Sequence, residues 1–189
     1  MKLISILLIF GFLVSCTNDD VFIPKPPTYL RADLPEHKYT TQEDECPYTL
    51  TIPEIFSTKQ VSDLNGPTCH KDINMGPLNG TIHFSFIAMT EPLAAYVNFA
   101  NDKVDEHKIK ATSINDYKII NDSNRVYCTL FELQGNVASP FQFYMTDSTS
   151  KFVSGVVYFN STPNYDSLKP SLDYLKADLN YMIENFKWK

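Results

Sequence analysis

The 189-residue chain contains no Gly-x-Ser-x-Gly elbow, no His-Glu-x-x-His pair and no glycine-rich phosphate loop. Those are the local arrangements that betray a serine nucleophile, a zinc-bound water or a nucleotide cradle. No two of its histidines, His37, His70, His83 and His107, lie three to five residues apart, and no close Cys-x-x-Cys pair accompanies its four cysteines. Cys46, Cys69 and His70 therefore make a poor zinc set, and no metal or cofactor is expected. Clusters of Lys and Arg are missing too: 16 basic residues face 22 acidic ones, for a formal charge of −6. That balance excludes nucleic acid and a bare anionic lipid surface as expected partners, because both recruit basic patches. There is no internal repeat, and no apolar run reaches the roughly 20 residues that a spanning helix needs.

What is present begins with a leader. Lys2 supplies a positive start, Leu3 to Val14 form an apolar run broken only by Ser5 and Gly11, and Ser15 is a small residue immediately before Cys16. This is the layout of a secretory signal over residues 1–15. The stretch Leu13-Val14-Ser15-Cys16 resembles a bacterial lipobox, in which the thiol is acylated and the chain is cut just before it; an ordinary cleaved signal followed by a chance cysteine is the alternative. Two or more acyl chains, at about 0.8 kcal/mol per buried CH₂, hold a protein on a bilayer where one would exchange off. Cleavage would remove Lys2 and take the charge from −6 to −7.

Export past the cytoplasmic membrane permits disulfides. Cys46 and Cys69 sit in a polar, Pro- and Gly-rich region without obvious packing, and they are the preferred bridge. Closing that loop stabilises the fold by roughly 3 kcal/mol in the chain-entropy model. Cys128 falls within the strand pattern Val126-Tyr127-Cys128-Thr129-Leu130, where a thiol packs as a small hydrophobe, and it is expected to be free.

Residues 16–28 are polar and then Pro-rich, as an extended tether would be. The single folded domain is placed at 29–189. Its first third, to residue 79, shows only short strand-like pieces at Tyr29–Ala32 and Tyr48–Ile52 among many prolines and glycines. Ile82, Phe84 and Phe86 then alternate with His83 and Ser85, as a half-buried strand does. Thr90 offers an N-cap for a helix with Leu93, Tyr96, Val97, Ala100 and Val104 on one face, ending within 104–113. Strands are expected at 117–120, 125–134, 141–146 and 152–159, separated by short polar breaks that imply an antiparallel meander. A last helix, capped at Asp166-Ser167, lines up Leu168, Leu172, Leu175, Leu179, Met182, Ile183 and Phe186, with Trp188 beyond. The expectation is an α+β fold, an antiparallel sheet covered by helices.

Candidate chemistry is sparse. Asp147 and Asp166 could serve as a carboxylate pair for a hydrolase, with His83 as a third group, but both acids have simpler work as turn and cap residues. The 13 Phe and 11 Tyr raise a second alternative, an envelope carbohydrate binder with Tyr165 as a stacking residue. Alternation with polar residues places most of those rings in the core.

The segments "PKPPTYLRADLPEHKY", "CPYTLTIP", "GTIHFSF", "GNVASPFQFYMTDSTSKFVSGVVYFNSTPNYDSLKP" and "YMIENFKWK" together resemble the GldD family of gliding-motility lipoproteins of Bacteroidetes, most specifically from Gly135 to Pro170. The resemblance implies an envelope lipoprotein needed for gliding and associated with type IX secretion, with no catalytic centre. It agrees with acylation (palmitate) at Cys16, is compatible with a Cys46–Cys69 bridge, and assigns Cys128 no role. Partners would be other gliding or secretion proteins of the envelope, with the outer membrane favoured over the inner one. The strand-rich body and its long final helix also resemble the PsbP-like sandwich, an analogy of fold and not of function.

Loops on a rigid sheet are where binding residues concentrate. The candidate partner-binding residues are accordingly Asn136 and Ser139 at and after the Gly135 corner, Asp147, Ser148 and Thr149 at the tip of a hairpin, and Asn164, Tyr165 and Asp166 ahead of the last helix.

Overall fold

Alternating apolar residues and short polar breaks produce strands through most of the chain, in a computed structural model that describes residues 33–162 and 164–189. The elements are β1 Tyr39–Gln42, β2 Tyr48–Pro53, β3 Ser57–Asp63, β4 Gly66–Asn74, β5 Gly80–Ala88, α1 Leu93–Asp105, β6 Ala111–Asn121, β7 Val126–Gly135, β8 Phe141–Thr146, β9 Lys151–Phe159, α2 Tyr165–Glu184 and β10 Lys187–Trp188. The expected leader, Cys16, the expected tether and the strand-like piece expected at 29–32 lie outside the described residues.

Seven strands form one antiparallel sheet in the order β3-β4-β5-β9-β8-β7-β6, and β1-β2-β10 form a second, smaller one. The four-strand meander from β6 to β9 is as expected, although β6 begins six residues earlier than its apolar pattern showed. Its first half is amphipathic only weakly, because as an edge strand it has one exposed side and carries Asn115, Asp116 and Lys118. Charges on an exposed edge discourage pairing with another chain. The hairpin β3–β4 was not legible, since Ser57–Asp63 buries almost nothing and holds its place through the ladder to β4.

The two faces of the large sheet are covered by different helices. On the inner face, Ile82 and Phe84 of β5, Cys128 and Leu130 of β7, Phe143 and Met145 of β8, and Val153 and Val157 of β9 meet α2 in one buried cluster. Leu172, Leu175, Leu179, Met182 and Ile183 supply the helix side, followed by Phe186. Only Leu168 of the expected stripe stays partly exposed, in the first turn. Pro170, the sixth residue of the helix, lacks the amide that would bond the Asp166 carbonyl, so the first turn of α2 is held by one backbone bond fewer.

α1 lies on the outer face, where Val104 packs with Phe131, Leu133 and Val137 in a small separate cluster. Its start differs from expectation. Thr90 does not cap it; the cap position is Pro92, and the Tyr96 hydroxyl accepts hydrogen bonds from the Thr90 and Glu91 amides at 2.9 and 3.2 Å. The tyrosine one turn into the helix thus fixes the chain that leads into it, while no side chain caps the first-turn amides.

The small sheet is fastened to the large one at β2. Tyr48 is buried against Phe84, Phe86 and Phe186 and donates its hydroxyl to the Cys69 carbonyl at 2.7 Å. Beside it Cys46 and Cys69 form a disulfide, with Cα atoms 5.5 Å apart. Cys128 is free and buried, and burial pushes its thiol pKa up, away from reactive thiolate. Ahead of β1 and at its first residue, the chain crosses α2: the Tyr174 hydroxyl donates to the Pro35 carbonyl, and His37 and Tyr39 both bond the buried Asp178 carboxylate.

Gly155 is where the central pair β8–β9 demands a missing side chain. It sits opposite Phe143 in the ladder, and a Cβ there would fall 2.0 Å from the Phe143 ring. Replacing Gly155 with Ala should therefore destabilise the protein by about 1–3 kcal/mol through overpacking. Urea unfolding of the two proteins measures it, and an unchanged midpoint would show that the ring moves freely.

Candidate functional site

Antiparallel topology sorts the eight candidate residues into two groups at opposite ends of β9. The β8–β9 turn carries Asp147, Ser148 and Thr149 at one end, while the β7–β8 connection and the β9–α2 loop meet at the other. Nine residues of strand, at about 3.3 Å each, put roughly 30 Å between them. The first group and the second cannot contact one small partner group together.

At the turn, the Asp147 carboxylate is directed inward instead of being displayed. Its Oδ1 accepts the backbone amides of Thr149, Ser150 and Lys151 at 2.8, 2.8 and 2.9 Å, and Oδ2 accepts the Ser150 hydroxyl at 3.0 Å. Burial alone would raise its pKa; the hydrogen bonds outweigh burial and hold it well below the usual carboxylate range. Ser148 adopts a left-handed backbone with φ 65°. Arg125 closes the turn from the neighbouring loop, donating to the Asp147 carbonyl and to the Thr149 hydroxyl. Asp147 is thus the turn residue of its simpler reading, and as a candidate contact residue its carboxylate is already committed to the turn, while Ser148 and Thr149 are exposed.

The other end is more elaborate. Gly135 turns the chain with φ 108°, and a Cβ on it would fall 2.9 Å from the Lys110 carbonyl and the Thr112 amide, so the corner packs directly on the β6 bulge. Asn136 then projects into solvent. Ser139 does not: it is 0% exposed and donates to the Phe141 carbonyl at 3.1 Å, so as a contact residue it is corrected to a structural one. Asn164 caps α2 by accepting the Ser167 amide at 3.2 Å, the part expected of Asp166-Ser167; Asp166 is exposed one residue into the first turn, where its charge favours the helix dipole. Between the two loops is a notch of about 20 Å³ bordered by Val137, Ala138, Asn164 and Tyr165. That is room for a water or the tip of a side chain, not for a substrate.

Beneath the notch lies a charged cluster that sequence reasoning missed. Glu132 faces α2 and accepts from Lys176 Nζ at 2.7 Å, from the Tyr117 hydroxyl at 3.0 Å and from the Tyr165 hydroxyl at 3.2 Å. Lys176 also lies over the Tyr117 ring, 4.0 Å from its centroid. Burial opposes ionisation of Glu132, but these bonds, Lys176 foremost, outweigh it and lower its pKa. Tyr165 is pushed up to about 12 by burial and by the Glu132 charge. With its hydroxyl committed and its ring half-buried, Tyr165 is not an open stacking platform for a sugar. A glutamate at the end of an otherwise apolar strand, four positions after Cys128 on the same face, was the available signal.

The groups considered for hydrolysis do not converge. Asp147 and Asp166 stand at the two ends of β9, and His83 is on the outer face opposite Val156, bonded to Asp72 at 2.7 Å. Among the described residues no group of three His, Cys, Asp or Glu side chains is placed to hold a metal. No helix among them is long and apolar enough to cross a membrane.

The family model described as "Gliding motility lipoprotein GldD" matches residues 19–188. No curated protein matches the chain. Among solved structures, the solution structure of cyanobacterial PsbP (CyanoP) from Synechocystis sp. PCC 6803 is similar at 10% identity and a TM-score of 0.45, covering 87% of this chain and 100% of that one.

The Glu132 cluster makes the stability of this end depend on pH. Its carboxylate has a folded pKa below the unfolded value of about 4.3, so its contribution is complete above that value and is lost as pH falls through the folded pKa. Glu132→Gln should cost about 1–3 kcal/mol at neutral pH by leaving Lys176 without its partner. The difference from the native chain should shrink between pH 5 and pH 3 in urea unfolding. A difference that stays constant over that range would remove the charge from the explanation.

Proposed function

The chain belongs to the gliding motility lipoprotein GldD family, and from that membership we propose that it acts in the cell envelope of a Bacteroidetes bacterium as a non-enzymatic assembly component. The observation that carries this reading is the family match over residues 19–188, almost everything after the leader. Lipoprotein membership implies anchoring in the envelope. In the proposed form the anchor is acylated Cys16, residues 1–15 are removed, residues 16–28 are the tether, and residues 29–189 are the one folded body. The outer membrane is the favoured location, and the partners are gliding and type IX secretion proteins.

A contact role suits the chemistry described above. The Asn136 and Asn164–Asp166 end offers two exposed loops on a rigid base and a notch too small for a substrate, the form of a surface read by another protein. The second candidate surface is the Ser148–Thr149 tip, held by Arg125. Separation by the length of β9 would let the two ends engage different partners.

Two measurements test the proposal. Metabolic labelling with palmitate should tag the native protein and leave Cys16→Ser unlabelled and released from the membrane fraction; label on the serine variant would overturn the anchor. A photo-crosslinking residue at position 136 or 164 should capture gliding or secretion proteins in living cells, and one at exposed Leu64 should not. A correctly folded, lipidated protein giving identical adducts at all three positions would overturn the assigned surface.

A further inference from the structure

α1 crosses the outer face of the large sheet without closing on it. Between helix and strands lies a cleft of about 210 Å³, whose walls include Phe99, His107, Phe131, Gln142, Ser154 and Tyr158. Two of its aromatic residues are conspicuously uncovered, Phe99 at 60% and Tyr158 at 38% exposure. For rings of this size, solvent contact forfeits a large part of the stabilisation that burial brings.

The polar lining is equally unusual. Gln142 is 5% exposed, yet its amide has no hydrogen-bond partner among the described residues, and neither the His107 ring nor the Ser154 hydroxyl has one. None of the three is sealed in, since among the described residues the fully enclosed side-chain polar atoms without partners are His70 Nδ1 and Asp178 Oδ2. All three line the cleft, so hydrogen-bonding capacity without a partner in the protein borders it. The two fully charged groups in the lining, Lys103 and Glu106, neutralise one another at 2.7 Å.

This chemistry discriminates among occupants. With Lys103 paired, no free cation is offered to an anion. An acyl chain or an apolar side chain would dry the cleft and leave the Gln142 amide desolvated without a partner, which opposes binding. An added peptide strand has no edge to join here, because β8 and β9 are both paired on either side. The volume lies below the roughly 300 Å³ at which pockets for drug-sized ligands begin, so it suits a single ring. A ring with apolar C–H faces and neutral hydroxyls around its rim meets every requirement.

We propose that this cleft binds one neutral pyranose unit of an envelope glycan, its C–H face against Phe99 or Tyr158 and its hydroxyls on Gln142, His107 and Ser154. The unit could be an N-acetylhexosamine of a cell-wall strand or a plain hexose of a surface polysaccharide; both present the same faces and hydroxyls.

Titration calorimetry of the full-length lipidated protein, in a detergent without a sugar headgroup, tests this with chitotetraose and mannotetraose as probes. Saturable binding to at least one is expected, and the preferred probe identifies the source. Phe99→Ala, at an exposed position that leaves the core intact, should weaken binding about tenfold. Gln142→Leu should do at least as much, and exposed Leu64→Ala should change nothing. Absence of binding to both probes overturns the proposal, as does affinity that Phe99→Ala leaves unchanged. The readout involves neither motility nor crosslinking, so its failure and failure of the assembly role are separate results.

Discussion

The structure depends on one apolar stripe. Leu172, Leu175, Leu179, Met182 and Ile183 of α2, with Phe186 beyond its end, fill the inner face of the large sheet and reach the small sheet as well. At about 1.5–3 kcal/mol for each fully buried large side chain, the six contribute on the order of 10 kcal/mol before entropy is counted. That is comparable to the entire net stability of a typical domain. β10 follows Phe186 directly and pairs with β2, so burying the helix also positions the small sheet. The Cys46–Cys69 disulfide and Tyr48 reinforce the same junction, one by restricting the unfolded chain and the other by filling the core.

Because α2 occupies the inner face, other work falls to the ends and to the outer face. The ends are short loops whose polar groups are largely consumed in making them: Asp147 organises a turn, Asn164 caps a helix, and Ser139 satisfies a carbonyl. What they leave exposed is a modest set of side chains suited to contact with a protein. The outer face is covered where α1 rests on Phe131 and Leu133 and where its Tyr96 packs on Phe152. Beyond that patch the strands remain open, and there uncovered rings and unpaired polar groups coincide.

Much of this architecture was legible because alternation and helical periodicity are local. The β7–β9 strands, both helices and the burial of Cys128 follow from residues within a few positions of each other. β3 and the first half of β6 were not legible, since edge strands bury too little to show a pattern and exist through ladders to their neighbours. Thr90 was misread because the Tyr96 hydroxyl, which fixes its amide, reaches back from six residues away. For the candidate site, loop positions and the turn role of Asp147 were legible but orientation was not: Ser139 reads as polar surface until its bond to the Phe141 carbonyl is seen. Glu132 was missed because its partners, Tyr117, Tyr165 and Lys176, lie 15 to 44 residues away.

The sequence by itself determined the class of the protein. The ordered run from Gly135 to Pro170 and the alternation of the strands point to a family and an α+β fold, because each is written in neighbouring residues. Tertiary structure alone decided which side chains are available to a partner or ligand. Exposure, charge pairing and the convergence of Phe99, Gln142 and Tyr158 on one cleft arise only when strands remote in sequence are packed side by side and a helix is laid across them.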